Sequence, residues 1–347
     1  MIPSSTSAFI FFSREISSRI VKSCCYLGLL LCLTAELGCK DHDNSQQLGR
    51  LKKEGPKNTI HIVATTTIIA DTLNSILPDN FIVTSLMGPG VDPHLYRAKA
   101  KDLSSLQKSD LIVYNGLHLE GKLGDILSQL SKKNKAIAMS TGIPDSNLRY
   151  IGQVTDAHRT PDPHIWFDVS LWLSATLWIS NALAERFTVH RQAIIEKTNS
   201  FRKGLEKLDA WVSTQIDLIP KKQRILITAH DAFGYYGNRY GLKVVGVQGL
   251  STSTEAGLGD LNRVVETIKR YNVPVVFIES SVNPKQLKSI QQRLASSGYQ
   301  IDIGDLLYSD ALGHDEKSNS YEKMLRQNTI RIVTGLLSKL KRGGESL

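Results

Sequence analysis

The chain has no cysteine after residue 39. All four of its cysteines, Cys24, Cys25, Cys32 and Cys39, fall in or at the end of the N-terminal segment. The rest of the protein therefore holds no internal disulfide and no thiolate metal site, so any metal there must be bound by nitrogen and oxygen. A His-Glu-x-x-His sequence is also missing, and no glutamate adjoins the histidines singled out below as an obvious general base, which argues against a zinc hydrolase. No long lysine or arginine stripe is present. The formal charge of +9 becomes +8 once residues 1–38 are set aside, since Arg14, Arg19 and Lys22 go with Glu15 and Glu36. A surplus of that size suits solubility or attraction to an anionic envelope surface rather than nucleic-acid binding.

Residues 1–38 read as a secretory signal peptide. Arg14, Arg19 and Lys22 form a basic leading region, and Tyr26–Leu33 is an apolar run too short to span a bilayer. Thr34-Ala35-Glu36-Leu37-Gly38-Cys39 then resembles a bacterial lipobox, although Glu36 stands where an apolar residue is usual. The expectation is cleavage before Cys39 and lipidation of that cysteine. Residues 39–58, polar and lysine-bearing with Gly55 and Pro56, read as a tether.

Beyond the tether, β-type runs at Ile60–Thr65, Ile82–Met87, Leu111–Asn115 and Ala136–Met139 alternate with helical stretches such as Ile68–Ile76 and Lys101–Gln107. Strands alternating with helices predict a parallel-sheet α/β lobe over 59–187. A second set of runs, Ile225–Thr228, Val244–Gln248, Val273–Glu279 and Tyr299–Asp302, predicts a second such lobe over 220–342. Between them glycine and proline almost vanish: residues 188–219 contain only Gly204. Phe201, Leu205, Leu208, Val212, Ile216 and Ile219 recur there at helical spacing. One long linking helix is expected, with two helices broken near Gly204 as the competing arrangement.

Four residues carry the chemistry. His94, His164, His230 and Asp310 are spaced 70, 66 and 80 residues apart, and each follows what reads as a strand. Open α/β sheets collect ligands at that edge, and three imidazoles with a carboxylate form a complete N/O donor set for one divalent cation. His94 and His164 both occur as Asp-Pro-His followed by an apolar and then an aromatic residue. Proline fixes its own φ and drives the preceding residue towards extended geometry, giving a stiff loop that can aim an imidazole. Asp92 and Asp162 can accept the second ring N–H of the histidine or cap a nearby turn. Of the other histidines, His42 lies in the tether, His61 alternates with apolar residues in a strand, His190 and His314 have polar surroundings, and His158 is the only histidine in the loop preceding Asp162. His118 is the reserve candidate. Glu279, ending a strand, is the one further acid of interest, as a general base or as a hydrogen-bonding partner of the site.

Met87-Gly88-Pro89-Gly90-Val91-Asp92-Pro93-His94, Tyr114–Gly121, Asp162-Pro163-His164-Ile165-Trp166, Thr228–Tyr236 and Phe277–Val282 occur in one order. With them the chain, from His61 to about Leu340, resembles the TroA-like (cluster A-I) metal-binding solute-binding proteins of ABC importers. The resemblance implies two α/β lobes joined by a rigid helix and a buried cation between them. It further implies a monomeric lipoprotein outside the cytoplasm that delivers its ion to a membrane permease with a cytoplasmic ATPase. Matched residue by residue, it puts the ligands at His94, His164, His230 and Asp310. Manganese members often carry glutamate at the third position, where this chain has His230. Zinc members often carry a histidine-rich loop between the first two ligands, where this chain has only His118 and His158. The cargo implied is Zn²⁺ or Mn²⁺, with Fe²⁺ also compatible. The rival functions are a surface adhesin with a structural metal and, more remotely, a zinc-dependent hydrolase.

Overall fold

The computed structural model describes residues 59–151 and 159–343. The expected signal peptide, Cys39, the tether with His42, and His158 lie outside those residues. Strands β1 (Ile60–Ala64), β2 (Phe81–Ser85), β3 (Leu111–Tyr114) and β4 (Ala136–Ala138) form one parallel sheet in the order β2-β1-β3-β4. Helices α1 (Thr67–Ile76), α2 (Ala100–Lys108) and α3 (Gly124–Lys132) make the crossovers. A short antiparallel ribbon, β5 (Tyr150–Ile151) with β6 (Thr160–Pro161), precedes α4 (Val169–Arg186), whose first amides at Ser170 and Leu171 are capped by the Asp168 carboxylate.

After α5 (Arg191–Asp217) the pattern repeats. It runs β7 (Ile225–His230), α6 (Gly234–Tyr240), β8 (Lys243–Gln248), α7 (Leu258–Tyr271), β9 (Val275–Glu279), α8 (Lys285–Ser296), β10 (Asp302–Leu307) and α9 (Tyr321–Gly343). The second sheet is also parallel, in the order β10-β9-β7-β8. Strand β7 is buried at all six positions, its apolar Ile225–Ile227 and Ala229 suiting a strand covered on both faces and Thr228 and His230 enclosed with them.

One expected strand is misplaced. Tyr299–Asp302 is largely the approach to β10, which begins at Asp302 and runs to Leu307. Asp302, Gly304 and Asp305 read locally as a turn, but pairing with β9 draws them into the sheet edge, with a bulge between Gly304 and Leu307. Gly304 fits there because a Cβ would come 2.8 Å from both the Phe277 ring and Val275.

The long helix is continuous. Gly204 does not break it: a single interior glycine costs a helix only about 0.5–1 kcal/mol, which the buried stripe on both sides of it outweighs. Its 27 residues rise about 40 Å, and the expected start at 188 is taken instead by a 3₁₀ turn over Thr188–His190. Leu205, Leu208, Val212 and Ile216 bury its apolar stripe, each worth roughly 1.5–3 kcal/mol relative to exposure. The stripe packs against α4 and α1 before the helix and α9 after it. The apolar core is therefore continuous across the lobes. Phe167 of the first lobe stacks at 4.3 Å between ring centroids on Phe233 of the second.

Candidate metal centre

The C-terminal edges of the two sheets face one another, and His94, His164, His230 and Asp310 meet there. One donor atom of each lies within 4.8 Å of the others. Their exposures, 4, 0, 0 and 1%, close the cluster to bulk water. His164 Nε2 lies 3.3 Å from His230 Nε2, and Asp310 Oδ1 lies 3.5 Å from each of them. These separations suit one ion: donors about 2.1 Å from a tetrahedral Zn²⁺ stand about 3.4 Å apart.

Each side chain reaches the centre by its own route. His230 is the last residue of β7 and Asp310 lies three residues past β10. His94 comes after β2 through the irregular segment 86–93. His164 departs from expectation, because it follows the two-residue ribbon strand β6 rather than a strand of the parallel sheet. Its loop is fixed by Asn115, whose Nδ2 donates to the Pro163 carbonyl at 2.9 Å, and by Trp166, whose indole N–H donates to the Ser309 carbonyl beside Asp310 at 2.9 Å.

The two Asp-Pro-His aspartates act differently. Asp162 Oδ1 accepts from the His164 amide at 3.0 Å and pairs with its Nδ1 at 2.7 Å, which leaves Nε2 for a cation. Asp92 Oδ1 accepts only the His94 amide, at 2.8 Å, and so caps the turn. His94 Nε2 is buried without a hydrogen-bond partner in the protein, a costly state that a cation would relieve. Glu279 stands behind His230: Oε1 accepts its amide at 2.8 Å and Oε2 lies 2.5 Å from Nδ1. It thus faces the side of the ring away from the cluster, which places it as an orienting group and not as a base acting on a bound water.

The electrostatics follow from this enclosure. Burial pushes the His94 pKa down to about 3, with Asp310 opposing and the other two imidazoles adding to the fall. Burial also favours neutral His230, but the Glu279 and Asp310 carboxylates outweigh it and hold its pKa well above the imidazole range. Asp310 is disfavoured as an anion by burial, yet His230 chiefly, then His94 and His164, keep it well below the usual carboxylate range. Two imidazoles whose Nδ1 atoms both face carboxylates point their Nε2 lone pairs at each other across 3.3 Å. The pair is placed to share a proton or a metal cation.

Several supporting residues were given no site role by the sequence, although Glu120 and Gly121 fall within the Tyr114–Gly121 motif. Glu120 is a buried acid that accepts from the Asn115 amide at 2.6 Å, the Thr65 hydroxyl at 2.8 Å and the Gly116 amide at 3.2 Å, and so steadies the residue that holds the Pro163 carbonyl. Burial raises its pKa against those bonds. The next residue, Gly121, admits no side chain, because a Cβ would lie 2.6 Å from the His94 carbonyl oxygen. Arg149 and Thr252 also reach the Asp-Pro-His aspartates. The reserve candidate His118 is exposed at φ +65° and is not part of the cluster. His61 is exposed on β1, His314 is exposed, and His190 contacts Asn80 and Phe81. Among the described residues no helix is long and apolar enough to cross a membrane.

Two parallel-sheet lobes closing on a buried His₃Asp cluster define a cleft-type α/β binding protein. The chain belongs to the zinc-uptake complex component A periplasmic family, which residues 62–335 match. It is 39% identical over 278 residues to the manganese-binding lipoprotein MntA of Bacillus subtilis, covering 80% of this chain and 90% of that one. The metal ABC transporter substrate-binding lipoprotein ScbA of Streptococcus cristatus is 26% identical over 324 residues, covering 91% of this chain and 99% of that one. Among solved structures, the periplasmic zinc-binding protein TroA from Treponema pallidum superposes with a TM-score of 0.76 at 36% identity, covering 80% of this chain and 99% of that one.

Proposed function

We propose that the protein captures one divalent transition-metal ion between its lobes, with His94, His164, His230 and Asp310 as ligands, and delivers it to an ABC permease driven by a cytoplasmic ATPase. The observation that carries this reading is the triangle of buried donors, 3.3–3.5 Å on each side, formed by His164, His230 and Asp310. A catalytic zinc usually keeps three protein ligands and an open position for water, whereas here a fourth donor, His94, closes the cluster. The ion is cargo. Three nitrogens and one oxygen favour Zn²⁺ over Mn²⁺ in intrinsic affinity, while relatives named for zinc and for manganese leave both ions, and Fe²⁺, open to the chain in its cell. The protein works as a monomer outside the cytoplasm, held at the membrane by lipid on Cys39 with residues 40–58 as a polar tether.

The test is thermal unfolding with and without metal. An ion that binds only the folded state stabilises it by about 2.7 kcal/mol at one hundred times its dissociation constant. Zn²⁺ or Mn²⁺ should raise the melting temperature of the wild type and leave His164→Ala unmoved. Equal responses of the two proteins would overturn the ligand assignment.

A further inference from the structure

Both Asp-Pro-His aspartates have a second attachment, and in both cases it leads into the other lobe. Asp92 gives Oδ1 to the His94 amide and Oδ2 to the Thr252 hydroxyl, 2.5 Å away on the loop after β8. Asp162 gives Oδ1 to His164 and Oδ2 to Arg149 Nη1 at 2.6 Å. Arg149 then reaches across with Nη2 to Asp231 Oδ2 at 3.0 Å, and Asp231 is the residue after His230. Tyr235 of α6 ties the same junction, accepting the Arg149 amide at 2.9 Å and donating to the Asp162 carbonyl at 3.1 Å. The guanidinium is wedged in place, since a Cβ on Gly234 would come 2.3 Å from its Cζ.

A hydrogen bond weakens steeply over a few tenths of an ångström beyond its normal length. Parting the lobes at the cleft mouth therefore breaks the Thr252 contact of Asp92 directly and strips Arg149 of Asp231, so that the anchor of Asp162, which keeps Arg149 within its own lobe, loses its hold on the other lobe in the same movement. The pair is charge-assisted and Asp162 is fully enclosed, so these contacts belong to the stronger class. We propose that Arg149, Asp231 and Thr252 are positioning residues of the cation site: acting through Asp162 and Asp92, they couple closure of the lobes to the aim of two ligand histidines and so set how fast a held cation leaves. This rests on the cation site proposed above. None of the three belongs to the four-residue cluster.

The experiment loads the full chain with Zn²⁺ and follows release into an excess of chromophoric chelator by stopped flow. Asp231→Asn and Thr252→Val should each speed release by on the order of tenfold at an unchanged loading of one ion per chain. Thr252→Ser, which restores the hydroxyl, should return the wild-type rate. A purely structural role would lower the melting temperature of the metal-free variants and leave the release rates alone, so melting is measured alongside. If Asp231→Asn does not fold, the two Thr252 variants decide the matter. Release within twofold of wild type in the variants overturns the coupling while leaving the site intact. A wild-type chain that retains no Zn²⁺ overturns the site, and the coupling with it.

Discussion

Replacing Glu279 by glutamine changes one atom and should cost the site much of its affinity. The carboxylate accepts the His230 amide at 2.8 Å with one oxygen and sets the other in ion-pair contact with Nδ1 at 2.5 Å. An ionised carboxylate only accepts, so it holds the ring proton on Nδ1 and leaves the Nε2 lone pair facing the cluster. A carboxamide has one accepting and one donating end. If its oxygen stays with the amide, its NH₂ faces Nδ1, the ring proton moves to Nε2, and the ligand atom is blocked. If it flips, the buried amide is left facing a donor, at a cost of about 1–3 kcal/mol. Partners of this kind are worth roughly 10–100-fold in metal affinity, or about 1.4–2.7 kcal/mol. Glu279 also favours the proton that competes with the ion at His230, so the loss should be larger at pH 8 than at pH 7. Competitive Zn²⁺ titration against a chelator at both pH values reads this directly. A Glu279→Gln dissociation constant within twofold of wild type at pH 8 would refute the argument.

Proton release on loading should come from His230 and not from His94. His94, pushed down to about 3 chiefly by burial, is already neutral, whereas His230, raised by Glu279 and Asp310 against its burial, must lose a proton. Calorimetry at pH 7 in buffers of different ionisation enthalpy should find about one proton released per ion; affinity should rise with pH up to the raised His230 value and flatten above it, and zero release contradicts the assignment. His230→Glu substitutes a harder, charged donor and should move the Zn²⁺ to Mn²⁺ dissociation-constant ratio towards Mn²⁺; an unchanged ratio means that site geometry, not this ligand, sets the preference. Mass spectrometry of the mature N-terminus should find a lipidated Cys39, and detergent partitioning should retain the protein; cleavage elsewhere with release of soluble protein would leave only export standing.

What was legible in the sequence was what local chemistry determines. Runs such as Leu111–Val113 and Ile225–Ile227 are apolar throughout, as strands covered on both faces are, and that pattern is readable without knowledge of partners. The repeated Asp-Pro-His drew attention to His94 and His164 because proline constrains the backbone wherever the loop sits. Strand β10 is not legible in the sequence because Asp302, Gly304 and Asp305 are strand residues only by virtue of pairing with β9. Arg149 carried no signal at all. Its importance rests on Asp231, 82 residues away, and no spacing or composition announces such a contact. Glu279 stands out in the sequence for its place at a strand end, but its role behind His230 depends on the register that puts β9 beside β7.

The central claim is that one cation is held by all four residues at once. The most direct test is crystallography of the metal-loaded protein at the absorption edge of the bound ion. The account predicts a single anomalous peak between the lobes, about 2.0–2.2 Å from a nitrogen of each of His94, His164 and His230 and from Asp310. A peak elsewhere, or one in bonding contact with only one or two of these residues, would contradict it.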